Sequence, residues 1–195
     1  METHPWLPFY PPDARMLMLG SFPPPPSRWS MPFYYPNWQN DMWRIVAAVF
    51  FNDRHYFEIP GRKAFDQEKL VSFLTERGIA LSDVASTARR AKGNASDAFL
   101  EIIQTIDPRK ELARLPQCHA LVTTGKLAST MLQLALKKSF KRDFELPAME
   151  TFVELTLFDR TLRWYRMPSS SRAYPLPFDR KVTAYYNLFK DCNLL

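Results

Sequence analysis

The sequence is poor in the residues from which metal centres are built. Its 195 residues include only two cysteines and three histidines. Nothing near Cys118 or Cys192 supplies the paired spacing of a zinc or iron–sulfur site, and the histidines are not clustered. We therefore expect no metal and no other cofactor. Two free thiols also suit a reducing compartment.

Glycine and long apolar runs are equally scarce. With five glycines in all, no Gly-x-Gly-x-x-Gly follows the first apolar segment. Gly125-Lys126 lacks the other residues of a Walker A loop, so neither nucleotide-binding motif is present. No stretch approaches the ~18 apolar residues of a membrane span, and residues 1–12 do not resemble a signal peptide. The sequence predicts a cytoplasmic protein without a membrane partner.

Proline, in contrast, is abundant. Most of the 17 prolines lie in two segments, residues 5–36 and 168–177, which should form stiff loops that lose little entropy on binding. The 26 Lys and Arg against 20 Asp and Glu give a net charge of +6, a weak bias toward nucleic acid. The length and the 46% hydrophobic content predict one domain over residues 1–195, which we expect to be a monomer.

Short apolar runs predict the strands. Four are expected, at residues 15–20, 79–84, 120–124 and 162–167. A further stretch at residues 151–157 is rich in β-favouring residues and should pair with the last strand or lead into it.

Amphipathic spacing predicts the helices. They are expected at residues 41–51, around residues 70–74 with a stop at Gly78, at residues 126–138, and around residues 182–189. Asp107 and Asp179 are expected to cap the helices that follow them. A stripe with helical spacing predicts one more helix, from Phe99, Ile102, Ile103 and Ile106.

Alternation of strands and helices predicts an α/β three-layer sandwich, with a central, mainly parallel, four-stranded sheet flanked by helices. Ligands in such sheets bind at the carboxyl ends of the strands. The loops that begin at Gly20, Val84, Thr124 and Pro168 should therefore meet at one edge and form the functional site.

The loop after the first strand carries the most informative motif. Residues 19–23 read Leu-Gly-Ser-Phe-Pro, and Tyr35 precedes an Asn-x-x-Trp element at Asn40 and Trp43 by five residues. This arrangement resembles the first motif of mismatch-type and hypoxanthine-type DNA glycosylases, which are members of the uracil-DNA glycosylase superfamily. Three further segments agree with that family in their order: residues 78–84 with Arg89, Arg90, Ser96 and Asp97 beyond them, residues 124–126, and Pro-Ser-Ser-Ser at residues 168–171.

The resemblance implies a base-excision repair enzyme that hydrolyses the N-glycosidic bond of a flipped, deaminated base, uracil or hypoxanthine, in DNA. Phe22 stands where mismatch-type enzymes carry a catalytic Asn, so the chain is closer to the hypoxanthine-type branch. In that branch the Asn of the Asn-x-x-Trp element is assigned the catalytic role, which maps to Asn40. The four cysteines of the iron–sulfur branch are absent.

The same resemblance assigns the binding residues. The flipped base would be held by Gly20, Ser21, Phe22, Tyr35 and Asn40. Tyr35 offers a stacking face, Asn40 offers both a donor and an acceptor, and the backbone amide of Phe22 could face the pocket as an oxyanion donor. Damaged DNA, the expected partner, would be contacted by Pro168, Ser169, Ser170, Ser171, Arg172 and Lys126.

Simpler interpretations remain open for these residues. Asn40 could merely cap a helix, Tyr35 could be part of the core, and the Pro-Ser segment could be an ordinary turn. The group that activates water is unassigned, with Asp41 and Asp83 as candidates, and the three histidines suggest no function. The alternative functions are a catalytically silent nucleic-acid-binding module with the same fold and an unrelated α/β enzyme acting on a small molecule.

Overall fold

The structure, a computed structural model, describes residues 1–91 and 99–195. Within these ranges the chain forms eight β-strands and five α-helices. The strands are β1 (Glu2–Thr3), β2 (Met16–Gly20), β3 (Ile79–Asp83), β4 (Ala85–Arg90), β5 (Leu100–Thr105), β6 (Ala120–Thr124), β7 (Phe152–Leu157) and β8 (Arg160–Met167). The helices are α1 (Met42–Phe51), α2 (Gln67–Arg77), α3 (Pro108–Ala113), α4 (Lys126–Phe140) and α5 (Phe178–Asp191). Ser96 and Asp97 lie outside the described residues.

The central sheet is mainly parallel, as predicted, but it has five strands instead of four. Its order is β3-β2-β6-β8-β7, and the first four strands run parallel. The additional strand, β7, is antiparallel to β8. Phe158 and Asp159 connect the two in a tight turn with φ values of 55° and 57°, a conformation that matches the twist of a hairpin.

Helices cover both faces of this sheet, which gives three layers. Met16 and Met18 of β2 belong to a buried cluster with residues of α1, α2 and α5. Leu17 and Leu19 lie on the opposite face and join residues of α3 and α4. Because side chains alternate along a strand and both faces are covered, β2 reads as an unbroken apolar run.

A second sheet stands where the sequence predicted a helix. It has the order β1-β4-β5, with β5 antiparallel to β4. The helix predicted from Phe99, Ile102, Ile103 and Ile106 is therefore wrong. The side chains of β5 alternate between the two faces of the sheet. Ile102 packs against a cluster around Phe22, whereas its neighbour Ile103 is 43% exposed. A stripe of β-branched residues can match either period, and strand pairing decided between them.

Two of the three predicted helix signals are confirmed. Gly78 ends α2 in the left-handed conformation, with φ of 65°. Asp107 caps α3 by accepting a hydrogen bond from the N–H of Arg109 at 3.1 Å. Asp179 is not a cap, because it lies inside the first turn of α5 after the N-cap Pro177. There its charge can still interact favourably with the positive end of the helix dipole.

Both cysteines are buried free thiols. Burial raises the pKa of Cys118 to about 12 and that of Cys192 to about 11, so both thiols are protonated at neutral pH and behave as small apolar side chains. Across residues 1–91 and 99–195, no helix is long and apolar enough to cross a membrane. The same ranges contain no group of three or more side chains arranged to hold a metal ion.

Candidate active site

The carboxyl ends of the four parallel strands meet at one edge, as the sequence predicts. Gly20 at the end of β2 lies directly opposite Asp83 at the end of β3. Thr124 at the end of β6 lies opposite Met167, which ends β8 and leads into residues 168–171. Residues that are up to about 150 positions apart in the chain are thereby brought to one line across the sheet.

Tyr35 lies above the middle of this line. Its hydroxyl shares a hydrogen bond with Thr124 Oγ1, the two oxygens being 3.0 Å apart, and its ring contacts Trp43 edge-on with centroids 5.8 Å apart. The backbone of Tyr35 is left-handed, with φ of 49°, a strained state that a tyrosine adopts only where its surroundings impose it. Burial and the Asp83 carboxylate raise the pKa of Tyr35, so the phenol is neutral. The side chain remains partly exposed.

Asp83 occupies the space above Gly20. A Cβ at Gly20 would lie 2.3 Å from Asp83 Oδ1 and 3.6 Å from the Tyr35 hydroxyl oxygen. The glycine is therefore required for room, because its φ is not in the left-handed range. The other carboxylate oxygen, Oδ2, accepts a hydrogen bond from Nε2 of His4 at 2.9 Å.

His4 is a residue of the site that the sequence did not reveal. It arrives on the amino-terminal segment, where β1 pairs with β4 and the backbone N–H of His4 donates to Ser86 O at 2.9 Å. The imidazole also stacks near Tyr34, with ring centroids 5.7 Å apart. A lone histidine 79 residues from its partner carries no local signal, so the interpretation of His4 as functionally silent had no contrary evidence in the sequence.

Asn40 lies at the opposite end of the line, immediately before α1. Its Oδ1 accepts a hydrogen bond from the N–H of Met42 at 2.9 Å, so the side chain pairs with one N–H at the helix start, from the position before the N-cap residue Asp41. Its backbone forms a β-bridge with Ser171. The side-chain NH₂ group has no hydrogen-bond partner among residues 1–91 and 99–195. No hydrogen bond or ring contact of the described residues joins Asn40 to Tyr35.

The segment at residues 168–171 presents only part of itself to the surface. Pro168 and Ser170 are buried, whereas Ser169 and Ser171 are partly exposed. Of these four expected DNA contacts, two therefore have an accessible side chain in this conformation. Arg172 is exposed and follows them directly.

The carbonyl groups of this segment turn inward and are anchored from below. Three donors hold them: the Tyr185 hydroxyl on Pro168 O at 2.9 Å, the Asp41 N–H on Ser170 O at 3.0 Å, and Lys181 Nζ on Ser171 O at 2.7 Å. The hydroxyl oxygens of Ser169 and Ser171 accept the N–H groups of Ser171 and Ala173 at 3.2 Å, which leaves the hydroxyl protons to be donated to a ligand. The partly exposed serines can therefore meet a ligand at little entropic cost.

A group of charges, the Asp41 cluster, underlies this segment and consists of the buried Asp41, Arg44 and Lys181 and the exposed Arg172. Arg172 Nε donates to Asp41 Oδ1 at 2.7 Å, while Arg44 and Lys181 approach the same carboxylate to 3.9 and 4.0 Å. Burial lowers the pKa of Lys181 and of Arg44, although nearby carboxylates oppose the shift. The sequence predicted neither this cluster nor the engagement of Asp41 by cations.

Of the remaining predicted site residues, some are packed in the interior and others lie at the surface. Phe22 is buried against Ala85 and neighbouring residues of the second sheet, and Ser21 O accepts the N–H of Ala85 at 3.1 Å. Lys126 is exposed in the first turn of α4. Gly125 before it has φ of 96° and lies against Ser169, whose Cβ would be 3.4 Å from a Cβ at Gly125. The basic side chain of Lys126 therefore begins beside the serine segment.

Comparison with known proteins finds the same α/β fold in a solved structure. No known protein-family model and no curated protein sequence matches the chain. A solved structure does: the solution NMR structure of a candidate uracil DNA glycosylase from Methanosarcina acetivorans. The two share 18% sequence identity and a TM-score of 0.64 over 96% of each chain. At this identity the likeness establishes a common fold along almost the whole chain.

Proposed function

We propose that this protein is a DNA glycosylase that hydrolyses the N-glycosidic bond of a flipped deaminated base, uracil or hypoxanthine, in DNA. The observation that carries the proposal is the strand-end site itself. A strained, partly exposed Tyr35 lies beside a buried carboxylate in a fold shared with a candidate uracil DNA glycosylase. The sequence resemblance to the hypoxanthine-type branch supports the same class and suggests the substrate.

Each part of the site has a role in such a reaction. An extruded base needs an aromatic face, which Tyr35 offers, and the extrusion costs a few kcal/mol, least for a damaged or mispaired base. The hydroxyls of Ser169 and Ser171 and the cations of Lys126 and Arg172 suit the phosphate backbone. The backbone carbonyl groups of residues 168–171 point inward, which keeps their negative partial charge away from the phosphates.

Asn40 supports a catalytic role through its NH₂ group, which has no partner among the described residues. Because Oδ1 is held by the helix start, the NH₂ group is oriented as a donor, and a donor is what a base leaving as an anion requires. Capping and catalysis are therefore compatible in one side chain, since they use different atoms.

The test of function is incubation with duplex oligonucleotides that each carry one modified base, uracil and hypoxanthine among them, followed by alkali to cleave abasic sites. We expect strand cleavage at one or both of these bases and none in the undamaged duplex. Salt-sensitive binding to duplex DNA without cleavage of any oligonucleotide would contradict glycosylase activity and identify a nucleic-acid-binding module.

Two substitutions separate the roles of Asn40. Asn40→Asp can still cap α1 but cannot donate a hydrogen bond, so we expect excision to be lost while the melting temperature is kept. Asn40→Ala loses both functions, and the missing cap should cost about 1 kcal/mol of stability. Single-turnover excision and thermal unfolding measure the two effects. Full activity in Asn40→Asp, with a lower melting temperature only in Asn40→Ala, would leave Asn40 a structural residue.

A further inference from the structure

Glycosidic hydrolysis passes through a sugar with oxocarbenium character, which an anion stabilises and which an activated water then attacks. The first motif supplies no acid, because Phe22 stands in it. Two carboxylates near the strand ends, Asp41 and Asp83, are chemically able to serve. The two residues differ in the groups that contact their carboxylate oxygens.

Asp41 faces three cations, and one of them donates a hydrogen bond to it. Its Oδ1 accepts from Arg172 at 2.7 Å and faces Arg44 at 3.9 Å, and Oδ2 lies 4.0 Å from Lys181. The negative charge of Asp41 balances the positive charges that lie beside it. Its position beneath residues 168–171 further assigns it to anchoring.

Asp83 has one oxygen that pairs with His4 and one that accepts no hydrogen bond from the described residues. Its side chain is 9% exposed, and Oδ2 accepts from His4 Nε2 at 2.9 Å. No residue in the described ranges donates a hydrogen bond to Oδ1, which lies above Gly20 in the space that the Tyr35 hydroxyl also borders. A carboxylate oxygen without a protein donor is available to accept a hydrogen bond from a water molecule or a ligand.

We propose, on the basis of the glycosylase function above, that Asp83 accepts the proton of the attacking water and that His4 is the positioning residue that orients it. The water oxygen bonds to C1′ of the deoxyribose as the C1′–N bond breaks and its electron pair passes to the departing base. Asp83 Oδ1 takes one proton from that water. The base then gains a proton from solvent, and Asp83 returns its own to solvent, so no further reactant is needed.

His4 can hold Asp83 in either of its own protonation states. Nε2–H donates to the carboxylate in both. Nδ1 lies 3.2 Å from Trp6 N, where the neutral ring accepts the backbone N–H, and 2.8 Å from Trp6 O, where the charged ring donates. The backbone of Trp6 thereby fixes the imidazole ring that holds Asp83.

The other groups that surround Asp83 do not compete for its proton. Burial raises the pKa of both Tyr34 and Tyr35, with the Asp83 charge as the second cause, so both phenols stay neutral at physiological pH. The nearby charges of Glu2 and Arg90 pair with each other, Arg90 Nε lying 3.0 Å from Glu2 Oε1. Asp83 is thus the group at this end of the sheet that is placed to take a proton from the water.

The experiment is a single-turnover excision rate measured against pH on the base that the wild-type protein removes. Asp83→Asn keeps the size of the side chain and an acceptor for His4 but cannot take a proton. We expect a rate on the order of 100-fold lower and loss of the acidic limb of the pH profile. His4→Ala should slow excision while keeping that limb, and His4→Gln, which retains a donor, should recover part of the rate.

His119, an exposed histidine, supplies the matched control, since His119→Ala should match the wild type in rate and pH profile. Circular dichroism and melting temperature verify that each variant is folded. If Asp83→Asn excises at the wild-type rate with the wild-type pH profile, the assignment of Asp83 is wrong. If His4→Gln is as slow as His4→Ala and both melt at lower temperature, His4 only stabilises the fold. A wild-type protein that excises no base would instead overturn the glycosylase function, and this assignment with it.

Discussion

Replacing Asp41 with Asn measures how strongly the Asp41 cluster holds the loop at residues 168–171. The Asp41 side chain is 8% exposed and faces Arg172, Arg44 and Lys181 within 4.0 Å. Removing one partner of a buried ion pair typically costs about 3–5 kcal/mol, because the remaining charges stay buried without compensation.

Two features of this cluster reduce that cost. Lys181 keeps the carbonyl of Ser171 and Arg44 keeps the carboxylate of Glu58, while the side chain of Arg172 is 46% exposed and can be solvated. We therefore expect the free energy of unfolding to fall by about 2–3 kcal/mol, at or just below the lower end of the usual range. For a chain of this length the melting temperature should drop by about 5–10 °C.

Thermal and urea unfolding measure this change, with Asp143→Asn as the matched control. Asp143 also forms an ion pair, 2.6 Å from Lys137, but its side chain is 84% exposed, and such surface pairs contribute at most about 1 kcal/mol. The control should therefore melt close to the wild type. If Asp41→Asn melts at the same temperature as Asp143→Asn, the cluster does not stabilise the protein and the argument for an anchored loop fails.

Three other substitutions test the strand-end site and the buried lysine. Gly20→Ala places a Cβ 2.3 Å from Asp83 Oδ1, so the displaced carboxylate should slow excision about 100-fold; a wild-type rate would show that Asp83 is not displaced. Tyr35→Ala should weaken binding of damaged DNA about tenfold or more, since stacking contributes about 1–3 kcal/mol per base, and Tyr35→Phe should weaken it less; equal affinities in a titration with an uncleavable substrate would exclude stacking. Burial lowers the pKa of Lys181 below the value of about 10.4 in unfolded chains, so the unfolded state binds more protons between the two values and stability rises with pH there. Lys181→Met should remove that rise. Urea unfolding at several pH values in this range measures it, because the difference in the free energy of unfolding between wild type and variant should change with pH.

The strands that position the site were predictable because of how they are buried. β2, β3 and β6 are covered on both faces, so each reads as a short apolar run that stops at a glycine or polar residue. Their carboxyl ends then had to share an edge. β5 was not predictable in this way, because its identity as a strand depends on pairing with β4 and not on its own periodicity.

The predicted site residues differ in how much of their environment is local. The capping contact of Asn40 spans two residues, so the sequence could suggest it. The contact between His4 and Asp83 and the one between Arg172 and Asp41 span 79 and 131 residues. Charge pairs at such separations leave no pattern in one sequence, which is why His4 was overlooked and Asp41 was considered a candidate base.

The Asp41 cluster also explains why a lysine is buried beneath the serine segment, where an apolar side chain would lose less solvation free energy. Three cations, from Arg44, Arg172 and Lys181, face the two carboxylates of Asp41 and Glu58, which leaves one excess positive charge. Burial reduces screening by salt, so this charge acts through the segment that we propose meets the phosphates. An apolar residue at position 181 could fill the space, but it could neither anchor the carbonyl of Ser171 nor supply that field.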